Sequence, residues 1–187
     1  AMSPRVAIAL ASVMNFLGAM TFTGVAQTIT KDIVDPFTLE NGSMVILAAL
    51  LAAIIWNLLT WYYGIPSSSS HALIGSIAGA AIAAAGFNVI NFNGFGTIIK
   101  ALIFSPLISF AIGFIIYSIF KVVFKNNNLS KTNRRFRRIQ IGTAALQAYS
   151  HGTNDAQKVM GIITMALIVN NYQSDDGIQL WVQFICA

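Results

Sequence analysis

The stretch YYGIPSSSSHALIGSIAGAA, residues 62–81, places four consecutive serines and a histidine between two strongly apolar segments. Pro66 cannot continue a preceding helix, and it biases Ile65 away from helical geometry. Serine is a preferred helix N-cap, so we predict that a new helix begins at Ser67 or Ser68. The N-terminus of that helix would offer free N–H groups and about half a positive charge, which together suit an anion.

The composition of the whole chain indicates that this serine tract lies inside a membrane. Of the 187 residues, 56% are hydrophobic and 9% are charged, and the mean hydropathy is +0.71, whereas a soluble domain carries about 25% charged residues. We therefore predict an all-α polytopic membrane protein, multi-pass in the cell membrane. The single cysteine, Cys186, excludes an intramolecular disulfide and a thiol-based metal site.

The apolar runs predict the organisation of the chain. We expect spans over about 5–30, 44–64, 67–87 and 97–124 in a first unit (1–124), a basic loop over 125–135, and a second unit over 136–187. Residues 136–170 would extend ~52 Å as one helix, too long for a ~30 Å hydrocarbon core, so we expect that helix to break within YSHGTNDAQK. A further apolar run starts at Ile178 and stops at Ala187, so we expect a fragment of a longer, transporter-like chain.

The charges between the runs predict the orientation. Residues 121–138 hold seven basic residues and no acid, which places this loop in the cytoplasm. The same clustering makes membrane topology a better explanation of the +5 net charge than nucleic-acid binding. The segments 31–42 and 170–177 are net acidic and fit the outside. This parity leaves 44–87 open as two full spans or as a re-entrant hairpin with its tip at 66–70, and the hydroxyl-rich tip favours the hairpin.

The serine tract has the chemistry of a binding site. Backbone that is broken at membrane depth is tolerated only against protein or a water-filled cavity, and transporter sites are commonly built from half-helix ends near the midplane. The competing interpretation is a helix cap whose serines bond to their own backbone. The candidate anion-binding side chains are Ser67, Ser68, Ser69, Ser70 and His71.

A second polar island, SHGTNDAQKVMG, covers 150–161 of the last long apolar run. Ionisable groups inside a bilayer cost ~2.5–3.5 kcal/mol each on the insertion scale and persist mainly where they pair or work. Thr153, Asn154 and Asp155 offer hard oxygen ligands suited to a small cation such as Na⁺. Lys158, Gln157 and His151 are candidates for contact with an anion or for an ion pair, and Lys158 lies three residues after Asp155.

Together the two islands resemble the signatures of the inorganic phosphate transporter (PiT) family of sodium- or proton-coupled phosphate permeases. HGTNDAQK matches the family's Gly-x-Asn-Asp signature at Gly152, Asn154 and Asp155, and PSSSSHALIG matches its Pro-x-Ser-x-Ser/Thr-His signature from Pro66 to His71. The resemblance covers essentially the whole chain. It departs from the family in lacking a second copy of each signature, and Lys158 stands where the common form GANDVANA has Asn.

The resemblance implies an inverted-repeat transporter fold with discontinuous helices, of which this chain holds the end of the first repeat and the start of the second. It implies that the serine tract and His71 bind inorganic phosphate, and that Thr153, Asn154 and Asp155 bind the coupling ion, Na⁺ or H⁺. No other cofactor and no catalytic residue are expected. The expected partners are phosphate, the coupling ion and the lipid bilayer, with a homodimer as one alternative for the assembly.

Three other functions compete with this hypothesis. A sulfate permease of the same build is the nearest, because hydroxyl and N–H groups recognise a tetrahedral oxyanion and not its central atom. An intramembrane serine hydrolase would need a serine paired with His71 or His151, but adjacent Ser70 and His71 do not readily form a nucleophile–base pair. A purely structural membrane subunit predicts that substitutions in the serine tract leave solute flux unchanged.

Overall fold

A computed structural model describes residues 2–39, 41–125 and 128–187 of the chain. Glu40 of the predicted acidic segment and Asn126–Asn127 of the predicted basic loop lie outside the described residues. The all-α membrane class is confirmed, since the described residues include three helices that are long and apolar enough to cross a membrane, Pro4–Thr21, Gly42–Tyr62 and Phe92–Val123. The helices are α1 (Pro4–Thr21), α2 (Gly24–Gln27), α3 (Gly42–Tyr62), α4 (Ser69–Ala85), α5 (Phe92–Val123), α6 (Leu129–Val169) and α7 (Leu180–Cys186).

Helix α4 begins where the Pro-Ser sequence predicts. Ser68 is the N-cap, and its side-chain oxygen accepts a hydrogen bond from the backbone N–H of His71 at 3.4 Å. Ser3 caps α1 in the same way, with Pro4 at the first helical position, where proline's missing N–H costs nothing. Serine followed by a helix-compatible apolar run is therefore sufficient to place both starts.

Helix α6 is continuous, so the expected break within 149–158 is wrong. The helix runs from Leu129 to Val169 through the polar island. Gly152 serves close packing instead of a break: a Cβ there would lie 2.6 Å from the Cα of Asn15 in α1. Small residues let two helices approach in this way. The polar side chains of the island are satisfied largely within their own helix, for example Asn154, whose Nδ2 donates to the Ser150 carbonyl at 2.9 Å.

The helix break lies instead in the first apolar run, which packs against α6. The first apolar run, expected as one span over 5–30, ends its first helix at Thr21 and restarts at Gly24 as α2. Helix α2 continues as a π-helical segment, Thr28–Asp32, a geometry that is rare and often found at functional sites. Asn15 and Gly18 of α1 contact the middle of α6, and Ala26 of α2 contacts Gly161 further along it. The two halves of the broken helix therefore follow α6 in the same direction.

Helices α3 and α4 form a hairpin whose tip lies about halfway along α6. Helix α3 starts beside the C-terminal end of α6, where the Ser43 hydroxyl donates to Asn170 Oδ1 at 2.9 Å. From this end the 21 residues of α3 extend ~32 Å, whereas the 41 residues of α6 extend ~62 Å. The tip at 63–68 therefore stops about halfway along α6. Helix α3 is itself long enough to cross a ~30 Å core, so the re-entrant hairpin and the two full spans both stay predictions.

The end of the molecule opposite the basic loop is held together by short contacts between loops. Val34 and Ile90 form an antiparallel β-bridge, and the N–H of Asn91 donates to the Ile33 carbonyl at 3.1 Å. A buried apolar core joins the π-helical segment, the hairpin and α6 beneath these contacts, with members Ile29, Ile33, Val45, Ile46, Ala49, Ile77, Ala78, Ala81 and Met165. This core fixes the hairpin against α6 and so sets the height of its tip.

Candidate functional site

A cleft of about 380 Å³ lies beside the middle part of α6, where α6 meets α4, α5, and α2 with its π-helical continuation. It brings Ser70 from the first turn of α4 together with Asn154 and Lys158 from α6. Thr28 of the π-helical segment and Ser105 of α5 add two hydroxyls. The rest of the lining is apolar, from Val25, Ile29, Leu73, Ile74, Ile98, Ala101 and Leu102. The two polar islands of the sequence thus share one cleft.

The start of α4 divides the serine tract between two surfaces. Ser70 lies on the face of α4 that turns to α6, together with Leu73 and Ile74 at i+3 and i+4. Ser67, Ser68 and His71 line a different groove, of about 590 Å³, between α4 and α3. There the indole N–H of Trp56 donates to the Ser67 hydroxyl at 3.2 Å. Ser69 is exposed at the start of α4.

Asp155 is engaged by two neighbours on its own helix. Its Oδ1 lies 2.6 Å from Lys158 Nζ, and its Oδ2 lies 3.0 Å from His151 Nε2. The Lys158 side chain is 19% exposed against 46% for Asp155, and Lys158, with Asn154, is the part of this group that lines the cleft. The geometry is that of an intrahelical ion pair with one member turned toward the cleft. The two histidines occupy different surfaces, His71 facing Trp56 and His151 facing Asp155.

Thr153 is not placed beside Asn154 in the way the cation hypothesis expected. Its hydroxyl donates to the Tyr149 carbonyl at 2.9 Å and lies 3.3 Å from the Gly18 carbonyl. It therefore sits in the close contact between α6 and α1. The reason is again the helical period, which turns 152 and 153 toward α1 and 154 and 158 toward the cleft.

Gln157 has a positioning role that the sequence interpretation missed. The side chain is 1% exposed, and its Oε1 accepts the backbone N–H groups of Val25 at 2.7 Å and Ala26 at 3.2 Å. These are first-turn donors of α2 that have no carbonyl partner within the helix. The weak signal in the sequence was the pair Thr23–Gly24 inside an apolar run, and glycine is common in transmembrane helices anyway.

A second ion pair lies outside the membrane segments, just after the π-helical residues that line the cleft. Lys31 Nζ, at the end of the π-helical segment, is 2.5 Å from Asp176 Oδ2 in the connection between α6 and α7. The hydrogen bond from Lys31 lowers the pKa of Asp176 below its usual value, and the same bond raises the pKa of Lys31. The pair ties the first broken helix to the connection that follows α6.

Comparison with known proteins identifies relatives of the whole chain. A model of the phosphate transporter family matches residues 1–133 and 124–187. The "probable low-affinity inorganic phosphate transporter" of Bacillus subtilis (strain 168) is 73% identical over 188 residues, covering 100% of this chain and 56% of that protein. The protein of the same name from Mycobacterium leprae (strain TN) is 42% identical over 192 residues, covering 100% of this chain and 45% of that protein. The chain thus spans about half the length of these curated relatives.

A solved structure shares the fold. The protein named "the sodium-dependent phosphate transporter" superposes with a TM-score of 0.82, covering 97% of this chain and 63% of that chain, at 22% sequence identity. At this identity the likeness supports the arrangement of helices and no more.

Proposed function

Because this chain belongs to the phosphate transporter family, a family of transporters and not of enzymes, we propose that the complete protein takes up inorganic phosphate by cation-coupled secondary active transport. The observation that carries the proposal is the cleft beside the middle part of α6 in which Ser70, Asn154 and Lys158 meet. Hydroxyl, amide and ammonium groups are the donors that a tetrahedral oxyanion needs. The relatives' names support phosphate as the anion.

The proposed phosphate contacts come from the first turn of α4 and from the middle of the continuous helix α6. Ser70 supplies its hydroxyl and lies in the first turn of the 17-residue helix α4, whose first N–H groups have no intrahelical partner. Asn154 keeps one N–H and its carbonyl oxygen free of its bond to Ser150. Lys158 adds a positive charge at the same cleft. Ser68 would act indirectly, because its hydroxyl caps α4, whereas Ser67 and His71 line the other groove.

The need for a coupling ion follows from charge. Moving one negative charge into a negative interior costs ~2.3 kcal/mol per 100 mV, so HPO₄²⁻ costs ~4.6 kcal/mol before any concentration gradient. Two co-moving Na⁺ or H⁺ neutralise that load, and a third makes the membrane potential favourable. We propose Na⁺ as the first ion to test, because the structural neighbour is named sodium-dependent.

The proposed cation site is Asn154 with Asp155, without the Thr153 hydroxyl. Asp155 is paired with Lys158 and His151 in this structure, so a cation that binds the carboxylate displaces the Lys158 ammonium. The displaced ammonium already lines the cleft, where it would face phosphate. This exchange explains how the cation and the anion come to bind together although Asp155 alone would repel phosphate.

The serine tract supplies its own matched control for the test. We expect Ser70→Ala to raise the KM for radiolabelled phosphate uptake by the complete gene product roughly 10- to 150-fold, the value of one hydrogen bond to a charged group. Ser67→Ala removes the same atom from the same tract but from the other groove, and we expect it to change uptake little. Equal effects of the two substitutions would contradict the assignment of the cleft.

The coupling ion is tested in the same assay with sodium and pH varied separately. We expect Asp155→Asn to weaken the dependence of uptake on the coupling cation, and unchanged dependence would exclude Asp155 from the cation site. Excess sulfate that competes as well as arsenate does would favour the sulfate permease over phosphate transport.

A further inference from the structure

We propose that the corner between α5 and α6 binds the phosphate headgroup of an anionic phospholipid. This corner, called here the basic corner, comprises the C-terminal end of α5 and the first turns of α6. Residues 121–138 hold seven lysines and arginines, and the chain has no acid from 121 to 154. The basic residues are Lys121, Lys125, Lys131, Arg134, Arg135, Arg137 and Arg138.

An aromatic cluster fixes the height of the basic corner relative to the membrane. The ring of Phe136, in the middle of NRRFRR, lies 5.7 Å from that of Phe120 and 5.1 Å from that of Phe124, both edge-to-face. These contacts hold the arginines beside the last turn of α5. The neighbouring side chains of α5 are apolar and face outward, Val122 at 75% and Val123 at 59% exposure. The guanidinium groups thus sit where an apolar helix surface ends, which is the level of lipid headgroups.

The arginines are arranged around open grooves instead of being paired with acids. One groove of about 480 Å³ is lined by Ser130, Lys131, Arg134, Arg135 and Arg138. A second, of about 530 Å³, is lined by Ser130, Asn133, Arg134 and Arg137. In the part of the chain that the structure describes, none of these arginines forms a salt bridge. Guanidinium groups bind phosphate oxygens bidentately, and the serine and asparagine side chains add neutral donors.

The positive-inside rule does not explain how the basic residues are arranged around α6. Topology requires basic residues on the cytoplasmic side but sets no position for them around the helix. Here Arg134 and Arg138, one turn apart, line the same groove, whereas Lys121 and Lys125 lie at the end of α5 and line neither. A specific headgroup site therefore predicts that the two pairs differ, and a purely topological role predicts that they do not.

The test is a lipid titration of the purified full-length protein in neutral detergent. Bound lipid is counted by native mass spectrometry while dioleoyl phosphatidylglycerol or dioleoyl phosphatidylcholine is added. We expect the protein to bind phosphatidylglycerol tightly and phosphatidylcholine much more weakly. The double substitution Arg134→Gln/Arg138→Gln should weaken phosphatidylglycerol binding at least about 100-fold, because each hydrogen bond to the charged headgroup is worth roughly tenfold or more. The matched control Lys121→Gln/Lys125→Gln removes the same charge from the same end and should weaken it much less.

The outcomes separate the sources of the phosphate group. Equal weakening by the two double substitutions would overturn the proposal in favour of simple charge attraction. Equal binding of phosphatidylcholine would overturn it as well. A thermal stabilisation by inorganic phosphate without lipid that Arg134→Gln/Arg138→Gln abolishes would identify a soluble-anion site instead. Equal melting temperatures of the variants in lipid-free detergent show that the losses do not reflect misfolding.

Discussion

The most informative perturbation of the cleft is Gln157→Leu. Leucine keeps a similar volume and removes the amide that joins α6 to the start of α2. The Thr153 carbonyl, which accepts from Gln157 Nε2 at 2.6 Å, retains its helical hydrogen bond. What is lost is the common acceptor of the Val25 and Ala26 N–H groups.

The magnitude follows from the burial of these two donors. A buried donor that loses its acceptor costs ~1–3 kcal/mol. Ala26 is fully buried, whereas Val25 is 39% exposed and lines the cleft. Because water can reach the Val25 N–H, the free-energy cost of its lost hydrogen bond lies at the low end of this range. Together the two donors contribute ~2–4 kcal/mol to holding α2 in place. That range corresponds to roughly 30- to 700-fold in the equilibrium for local opening.

The assay is amide hydrogen exchange of the full-length protein in nanodiscs, followed by mass spectrometry of peptides that cover 22–28. We expect exchange in these peptides to accelerate by the factor above in Gln157→Leu. Phosphate uptake should show a raised KM, because Val25 and Thr28 line the cleft. The matched control is Gln147→Leu, an exposed position on the same helix, which should leave both measurements unchanged. Unchanged exchange at 22–28 in Gln157→Leu would refute the assignment of Gln157 as the residue that holds the helix break.

Two further predictions concern the packing and the exterior ion pair. Gly152→Ala should destabilise the protein by ~1–3 kcal/mol in thermal melting, because its Cβ would overlap the backbone of Asn15. The control is Gly142→Ala on the same helix, where a Cβ meets nothing within 4 Å; it should be neutral or stabilising by up to ~1 kcal/mol. If Gly142→Ala destabilised the protein more than Gly152→Ala, the close contact of α1 and α6 would be contradicted. Asp176→Asn should lower the melting temperature slightly at neutral pH. The hydrogen bond from Lys31 lowers the pKa of Asp176 in the folded state, so this difference should shrink as the pH falls from the usual aspartate pKa through the lowered folded-state pKa, where the carboxylate becomes protonated. A difference that stays as large in acid as at neutral pH would show that the charge of Asp176 is not the cause.

The sequence alone determined the class of the protein and the identity of its polar islands. Apolar runs of membrane length leave few alternatives to helices, because backbone polar groups in lipid must be satisfied within the segment. The Pro-Ser sequence located the start of α4, since proline ends one helix and serine caps the next. The paired signatures at 66–71 and 152–155 indicated the family, which the comparisons confirm.

Only the tertiary structure decided where the helix break falls and which side chains share the cleft. Gly152 in the second island suggested a break in α6. Because glycine has no side chain, it also allows two helices to pack closely, and the contact with Asn15 shows that Gly152 has this second role. The helix break lies instead between α1 and α2. There Gln157 accepts the backbone N–H groups of Ala26 and Val25, which are 131 and 132 residues away in sequence. The serines likewise separated: the helical rotation of about 100° per residue turns Ser70 to α6 and His71 to α3, and the extended segment before α4 leaves Ser67 and Ser68 on the side of α3. Such choices depend on which neighbour each face meets, and local sequence does not encode that neighbour.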